Sequence, residues 1–398
     1  MAQIPRLRPY TGPALLSYGF RPFFLLGSVW AGLEVLAWLP MFYGELSMTT
    51  AFSPRDWHVH EMLFGYVAAI IAGFLLTAIP NWTGRLPLQG RPLLVLMLVW
   101  IAGRMAVALS AEIGWLAAML TDVAFLTLMA AAFMREIAAG KNWRNLKVVA
   151  LLVLLALANL AFHLEAHYAG LAQYATRAGL AFVLTLIMVI GGRIVPSFTR
   201  NWLTRREPGR LPASFDRFDI ACMILSVAAL LLWIALPDGT VTGITLVGAG
   251  VINAVRLGRW AGDRTVADRL VLVLHVGFAF VPLGFVLNAL SAFGIVPPSA
   301  GIHAWTVGAI GIMTLAVMSR ASLGHTGRPL QASPALEAVY GIVLLAAIAR
   351  IAAAISATGT VTLLHIAAFA WATAFLGFAG LYAPLLCLPK WPSARARS

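Results

Sequence analysis

The chain has 398 residues, 61% of them hydrophobic and 11% charged, with a formal net charge of +13 at pH 7. Such a composition excludes an ordinary soluble domain and fits a membrane protein with short loops. The two cysteines, Cys222 and Cys387, fall near cytoplasmic helix ends and suggest neither a structural disulfide nor a thiolate metal site, and the lack of a Cys-x-x-Cys-His string excludes covalently attached c-type heme.

Twelve apolar stretches are long enough to cross ~30 Å of hydrocarbon at 1.5 Å per residue. The first, roughly 20–42, follows a basic arm and lacks a small-residue cleavage pattern, so it is expected to stay as a helix. The second, roughly 59–81, follows Pro54 and opens on Trp57-His58-Val59-His60-Glu61-Met62. After the breakers Gly84 to Pro87 come the third, roughly 92–111 with Arg104, and the fourth, roughly 113–134 with Asp122. The fifth, roughly 147–168, closes on His163 and His167; the sixth, roughly 176–199, carries Arg193 and Pro196 and gives way at Pro208 to Pro212. The seventh and eighth, roughly 218–236 and 240–258, flank Pro237 to Gly239, and the ninth, roughly 267–292, holds His275. Pro297 and Pro298 precede the tenth, roughly 301–323, which opens on His303. The eleventh, roughly 334–356, holds Arg350, and the twelfth, roughly 363–387, opens on His365. The expectation is one all-α transmembrane domain over residues 1–398, with no evident internal repeat.

Orientation comes from the basic residues. Of the 28 Lys and Arg, the N-terminal arm, the even-numbered loops and the C-terminal tail hold all but six; the odd loops hold Arg55 and Arg177, and the spans hold Arg21, Arg104, Arg193 and Arg350. The positive-inside rule therefore puts both termini in the cytoplasm and reads the positive charge as topology, with no need for a nucleic-acid partner. Arg21 and Arg193 can snorkel from helix ends, whereas Arg104 and Arg350 lie in the outer halves of their spans and need an anion. Candidates for that anion are heme propionates, or Asp122, Glu34 and helix-end carbonyls.

Six of the eight histidines fall near the outer face: His58, His60, His163, His167, His303 and His365. Intramembrane ionisable groups are costly enough to suggest function, and imidazole suits heme iron and copper. His58 and His60 point about 200° apart on a regular helix, so they serve different partners; the alternative is a pair of interfacial histidines bonded to water or headgroups. Glu61 beside them can orient an imidazole or carry a proton. His163 and His167 have the i, i+4 spacing of two ligands to one metal, His163 being deeper, although an interfacial pair has the same spacing. His303 precedes Gly308 and Gly311, which admit a neighbouring helix or a flat macrocycle. His275 is deep and must find a partner or ligand. His325, in Gly324-His325-Thr326-Gly327-Arg328, reads as a solvated cytoplasmic loop residue, and His365 as structural.

These residues resemble a known family. Tyr18-Gly-Phe-Arg-Pro-Phe-Phe24, Trp57-His-Val-His-Glu-Met62 with Gly73 to Thr77 and Asn81-Trp-Thr-Gly84, Gly191-Gly-Arg-Ile-Val-Pro-Ser-Phe-Thr-Arg-Asn-Trp202, and His303 through Gly324-His-Thr-Gly-Arg328 are similar to the NnrS family over nearly the whole chain. The resemblance implies a polytopic bacterial inner-membrane protein that contains heme and copper and acts in the nitric oxide response. Its histidine motifs fall on His58, His60, His163, His275, His303 and His325. The architecture also loosely resembles the catalytic subunit of heme-copper oxidases, although this chain has one histidine on its tenth helix, where that subunit has two closely spaced ones, and none on its sixth and seventh.

The expected function is heme b and copper binding in the membrane, with nitric oxide bound at the metal site for detoxification or signalling. Heme ligands are expected from His60 and His303, with His275 a further candidate and Arg104 and Arg350 toward the propionates. Copper is expected on His58 and His163, with His60 and His303 as further metal candidates and Met62 as a soft third ligand. Glu61 is the expected catalytic proton carrier, with Glu165 and Asp122 also at membrane depth. Reduction of nitric oxide would need electrons from quinol or a periplasmic donor. A sensor or metal-handling protein that protects iron from nitrosylation, and a transporter, are the other readings.

Overall fold

The computed structural model describes residues 10–206 and 208–389. Arg6, Arg8, Lys390, Arg395 and Arg397, part of the charge asymmetry, lie outside the described residues. Among these residues there is no strand, and twelve helices are long and apolar enough to cross a membrane. We number them α1 (Phe20–Phe42), α2 (Pro54–Thr83), α3 (Arg91–Ala108), α4 (Trp115–Ala139), α5 (Trp143–Ala169), α6 (Tyr174–Leu203), α7 (Arg217–Ala235), α8 (Thr240–Gly258), α9 (Arg269–Ala292), α10 (Pro298–Thr326), α11 (Pro334–Ile355) and α12 (Thr360–Cys387). The protein is an all-α, multi-pass membrane protein.

Several expected helix ends move by three to five residues, and two of these shifts carry histidines. α2 begins at Pro54, ahead of the apolar run, because Ser53 caps it through a hydrogen bond from the Asp56 amide (3.2 Å) and proline fits the first helical turn. His58 and His60 thus lie inside the helix. α10 continues to Thr326, so His325 stands in its last turn instead of a solvated loop. There it is half-buried against the rings of Phe20 and Tyr18, at 5.6 and 6.1 Å.

The chain forms two compact units. The first comprises residues 1–179, 321–329 and 375–398, the second residues 180–320 and 330–374. In the first, α1 packs on α2 through small residues: a methyl added at Gly27 would meet Ile70, and one at Gly73 would meet Phe24. Arg21 ties α1 to the end of α12, donating to the carbonyls of Leu386 (2.8 Å) and Leu388 (2.7 Å), which satisfies carbonyls a helix end leaves open. In the second unit α9 is the centre. Gly277 faces Met313 and Gly284 faces Trp305 on α10, and Gly250 on α8 approaches the Pro282 carbonyl.

Both α2 and α10 change pitch. Residues Glu61–Val67 and Ala304–Gly311 are π-helical, each directly after a histidine. Such widened turns are rare and gather at functional sites.

Candidate metal centre

His60 ends the α-helical first turns of α2 and is fully buried. Its Nδ1 lies 3.0 Å from Glu61 Oε1, and its Nε2 lies 3.1 Å from Asp122 Oδ2 on α4 and 3.0 Å from Asn159 Oδ1 on α5. His163, one turn further along α5, directs Nε2 at the same Asp122 oxygen at 3.1 Å. Asn159 donates its amide to that oxygen at 2.7 Å. Arg104 on α3 donates to Glu61 Oε1 at 2.6 Å and to Asp122 Oδ1. Four helices therefore converge on one polar cluster inside the first unit.

The ligand atoms of His60, Asp122 and His163 lie within 4.8 Å of one another, close enough for one metal ion. Two imidazoles and a carboxylate suit a first-row metal. Glu61 behind the His60 Nδ1 gives the carboxylate-histidine arrangement that fixes a metal-binding imidazole. With neutral imidazoles, Glu61, Asp122 and Arg104 sum to one net negative charge. A single positive charge, a proton on His60 or a monovalent ion, neutralises the cluster in a low-dielectric site. The rings of Phe52, Phe64 and Phe162 stand 5.2–5.4 Å from the His60 ring and wall it in. That enclosure fits an ion and leaves no slot for a macrocycle.

Gly65, within the π segment, makes the cluster possible. A methyl there would lie 2.6 Å from Arg104 Nη1 and 3.0 Å from Glu61 Oε2. The same spot faces Trp30 Nε1; that atom and Glu61 Oε2 are both buried with no hydrogen-bond partner among the described residues.

Comparison with family models decides the relationship: residues 14–390 match the model described as NnrS protein. The chain belongs to the NnrS family. No curated protein matches it.

The NnrS-family histidines do not all meet. His163 stands with His60, its ring 4.9 Å away, and not with His58. His58 turns to α1, donating Nδ1–H to Glu34 Oε1 at 2.8 Å and stacking on Trp38 at 4.3 Å. Glu34 therefore serves His58 and not an arginine, and Arg104 takes its anions, Glu61 and Asp122, from within the protein. His303 belongs to the second unit, where Nδ1 must donate to the Ser299 carbonyl at 2.7 Å, which makes Nε2 the ring's lone-pair nitrogen. The volume vacated at Gly308 and Gly311 is filled by Phe280 and Trp371, so those glycines admit neighbouring helices, not a macrocycle. His275, also in the second unit, holds the Thr199 hydroxyl at 2.8 Å through Nε2. Its Nδ1 is buried without a hydrogen-bond partner, under the backbone of Gly262. Glu165, expected at membrane depth as a proton carrier, instead accepts the amides of Gln173, Tyr174 and Ala175 and closes the start of α6. His167 stacks on Trp115, and His365 bonds its own helix at the Val361 carbonyl.

Asn159 and the hub role of Asp122 are not among the features expected from the sequence. The signal is present in it all the same: an asparagine one turn before His163 and an aspartate inside an apolar span both require buried partners.

Proposed function

We propose that this NnrS-family chain is a heme- and copper-containing protein of the bacterial inner membrane that binds nitric oxide at its metal centre and supports nitric oxide detoxification. Membership of the family fits a membrane protein of the nitric oxide response. The observation that carries the metal part is the buried His60-Asp122-His163 set, oriented by Glu61 and Arg104. Copper fits it: imidazole suits either copper oxidation state, and Cu(I) brings the one positive charge the cluster lacks. Heme b fits His303, whose Nε2 carries the lone pair. It does not fit His60, whose ring is walled in by Phe52, Phe64 and Phe162, or His275, whose lone-pair nitrogen is covered by backbone.

When bound, heme iron and copper supply ligand positions for nitric oxide and one-electron redox chemistry. The chain's own residues do the rest. Arg104 holds both carboxylates, Glu61 fixes the His60 ring, and the three phenylalanines exclude water. Glu61 Oε2, unpartnered, is the oxygen beside the centre that can take up or release a proton. Electrons for turnover would come from quinol or a periplasmic donor.

A second reading, a non-catalytic sensor or metal guardian, is favoured by the closure of the site: His60 and Glu61 are 0% exposed and Asp122 1%. Metal analysis of purified full-length protein tests the centre. His60→Ala and His163→Ala are each expected to lose most copper while keeping heme, and His303→Ala to lose heme. Unchanged copper-to-heme ratios in the first two would reject the centre. Anaerobic nitric oxide consumption with a quinol donor separates turnover from binding alone.

A further inference from the structure

α2 and α10 run in one register. His60 and His303 each directly precede a π segment, Gly65 and Gly308 occupy the same position in it, and Pro54 and Pro297 stand the same distance before it. The same number of residues then leads from each histidine to Thr83-Gly84-Arg85 and Thr326-Gly327-Arg328, followed by Pro87-Leu88-Gln89 and Pro329-Leu330-Gln331. The next helices agree as well. α3 carries Arg104-Met-Ala-Val-Ala-Leu-Ser110-Ala111, and α11 carries Arg350-Ile-Ala-Ala-Ala-Ile-Ser356-Ala357 across its end. Midway between, the string Gly84-Arg85-Leu86-Pro87 after α2 recurs as Gly209-Arg210-Leu211-Pro212 after α6. The spacing of four helices marks a repeated four-helix element, with Arg104 and Arg350 as counterparts.

The two arginines differ in what they hold. Arg104 has Glu61 and Asp122. In α10 the place of Glu61 is taken by Ala304, and Arg350 makes no hydrogen bond, ion pair or ring contact with any described residue. Yet Arg350, half-buried, does not lie on the exposed face of α11. It continues the stripe of Leu336, Val343, Ala346 and Ala347, all buried, while Leu345, Ile348 and Ile355 form the exposed face of α11. A guanidinium set inward on an apolar helix without a counter-charge is costly unless a ligand supplies one.

We propose that Arg350 binds the anionic group, a carboxylate or a phosphate, of a ligand seated against α10 and α11, taking from that ligand what Arg104 takes from Glu61 and Asp122. Heme propionate and lipid phosphate are the two sources of this chemistry; the heme source rests on the function proposed above, and the lipid source does not.

The test uses full-length protein in nanodiscs, as parent, Arg350→Gln and Arg350→Lys. In the first arm, apoprotein binds heme b or its dimethyl ester, in which both propionates are neutral. In the second, native mass spectrometry compares retained phosphatidylglycerol with retained phosphatidylcholine. In one arm the parent is expected to prefer the anionic probe by roughly tenfold, Arg350→Gln to lose that preference, and Arg350→Lys to keep most of it. Preference in the heme arm identifies a carboxylate ligand, and in the lipid arm a phosphate. If Arg350→Gln keeps the parent's preference, or the parent shows none in either arm, the proposal is overturned. Failure of heme to bind at all would count against the heme reading alone, because the lipid arm still tests Arg350.

Discussion

His60 and His275 are both buried imidazoles on apolar helices, and their surroundings have almost nothing in common. His60 has acceptors on both nitrogens, from Glu61, Asp122 and Asn159, with Arg104 offsetting one of the two carboxylate charges. His275 has one hydroxyl. The contrast teaches that charge enters an apolar bundle only as a nearly neutral cluster assembled from several helices, whereas an isolated imidazole is held as a neutral tautomer by a single bond.

Removing the hub should break the contrast most. Asp122→Ala leaves Arg104 with one anion and takes a ligand from the centre, and is expected to cost about 3–5 kcal/mol and to abolish copper binding. Thermal unfolding in detergent and metal analysis check both. Gly65→Ala comes next: the added methyl collides with Arg104 Nη1, and the expected loss is about 1–3 kcal/mol with weakened copper binding. Full copper retention at parental stability would show that the close approach is dispensable. His275→Leu should cost only about 1 kcal/mol, since one hydrogen bond and no charge is lost, and the copper content should not change. A loss as large as that of Asp122→Ala would erase the distinction between the two imidazoles.

The smallest effect lies outside the spans. Asp216 caps α7, and the Arg259 guanidinium beside it holds its carboxyl below the ordinary range. A depressed carboxyl stabilises the fold above its unfolded pKa, about 3.9, and that contribution fades as pH falls through the lower folded value. Asp216→Asn keeps the cap and removes the charge, so the parent should lose slightly more stability than the variant as pH drops from 5 toward 3. Parallel melting curves would contradict the ion pair.

Hydropathy is enough to find all twelve helices, because each apolar run is bounded by proline, glycine or charge. Local chemistry at the ends decides what hydropathy misses: Ser53 pulls α2 back over His58 and His60, and α10 carries His325 past the apolar run. The histidines are legible as candidates but not as partners. Pairing His163 with His60 depends on how α2 meets α5, a tertiary matter that no spacing within one helix encodes. The repeat is hard to see in the sequence because its strings are short and diluted by apolar residues that any membrane helix shares; the matching π segments bring it into register.

The widened turn at Glu61–Val67 also bears on how this chain can vary. A π turn holds one residue more than an α turn, so losing a single residue there would restore ordinary pitch. The parts of α2 before and after the turn would keep their relative rotation, because the extra residue is what the wide turn absorbs, and His60 would still face Asp122 and His163. A residue lost from the regular α-helical stretch that follows would instead rotate the part bearing His60 by about 100° against the rest, with every side chain of the centre still encoded. A one-residue gap beyond the widened turn in a related chain's second helix is therefore grounds to doubt its metal centre, even where all the ligands are present.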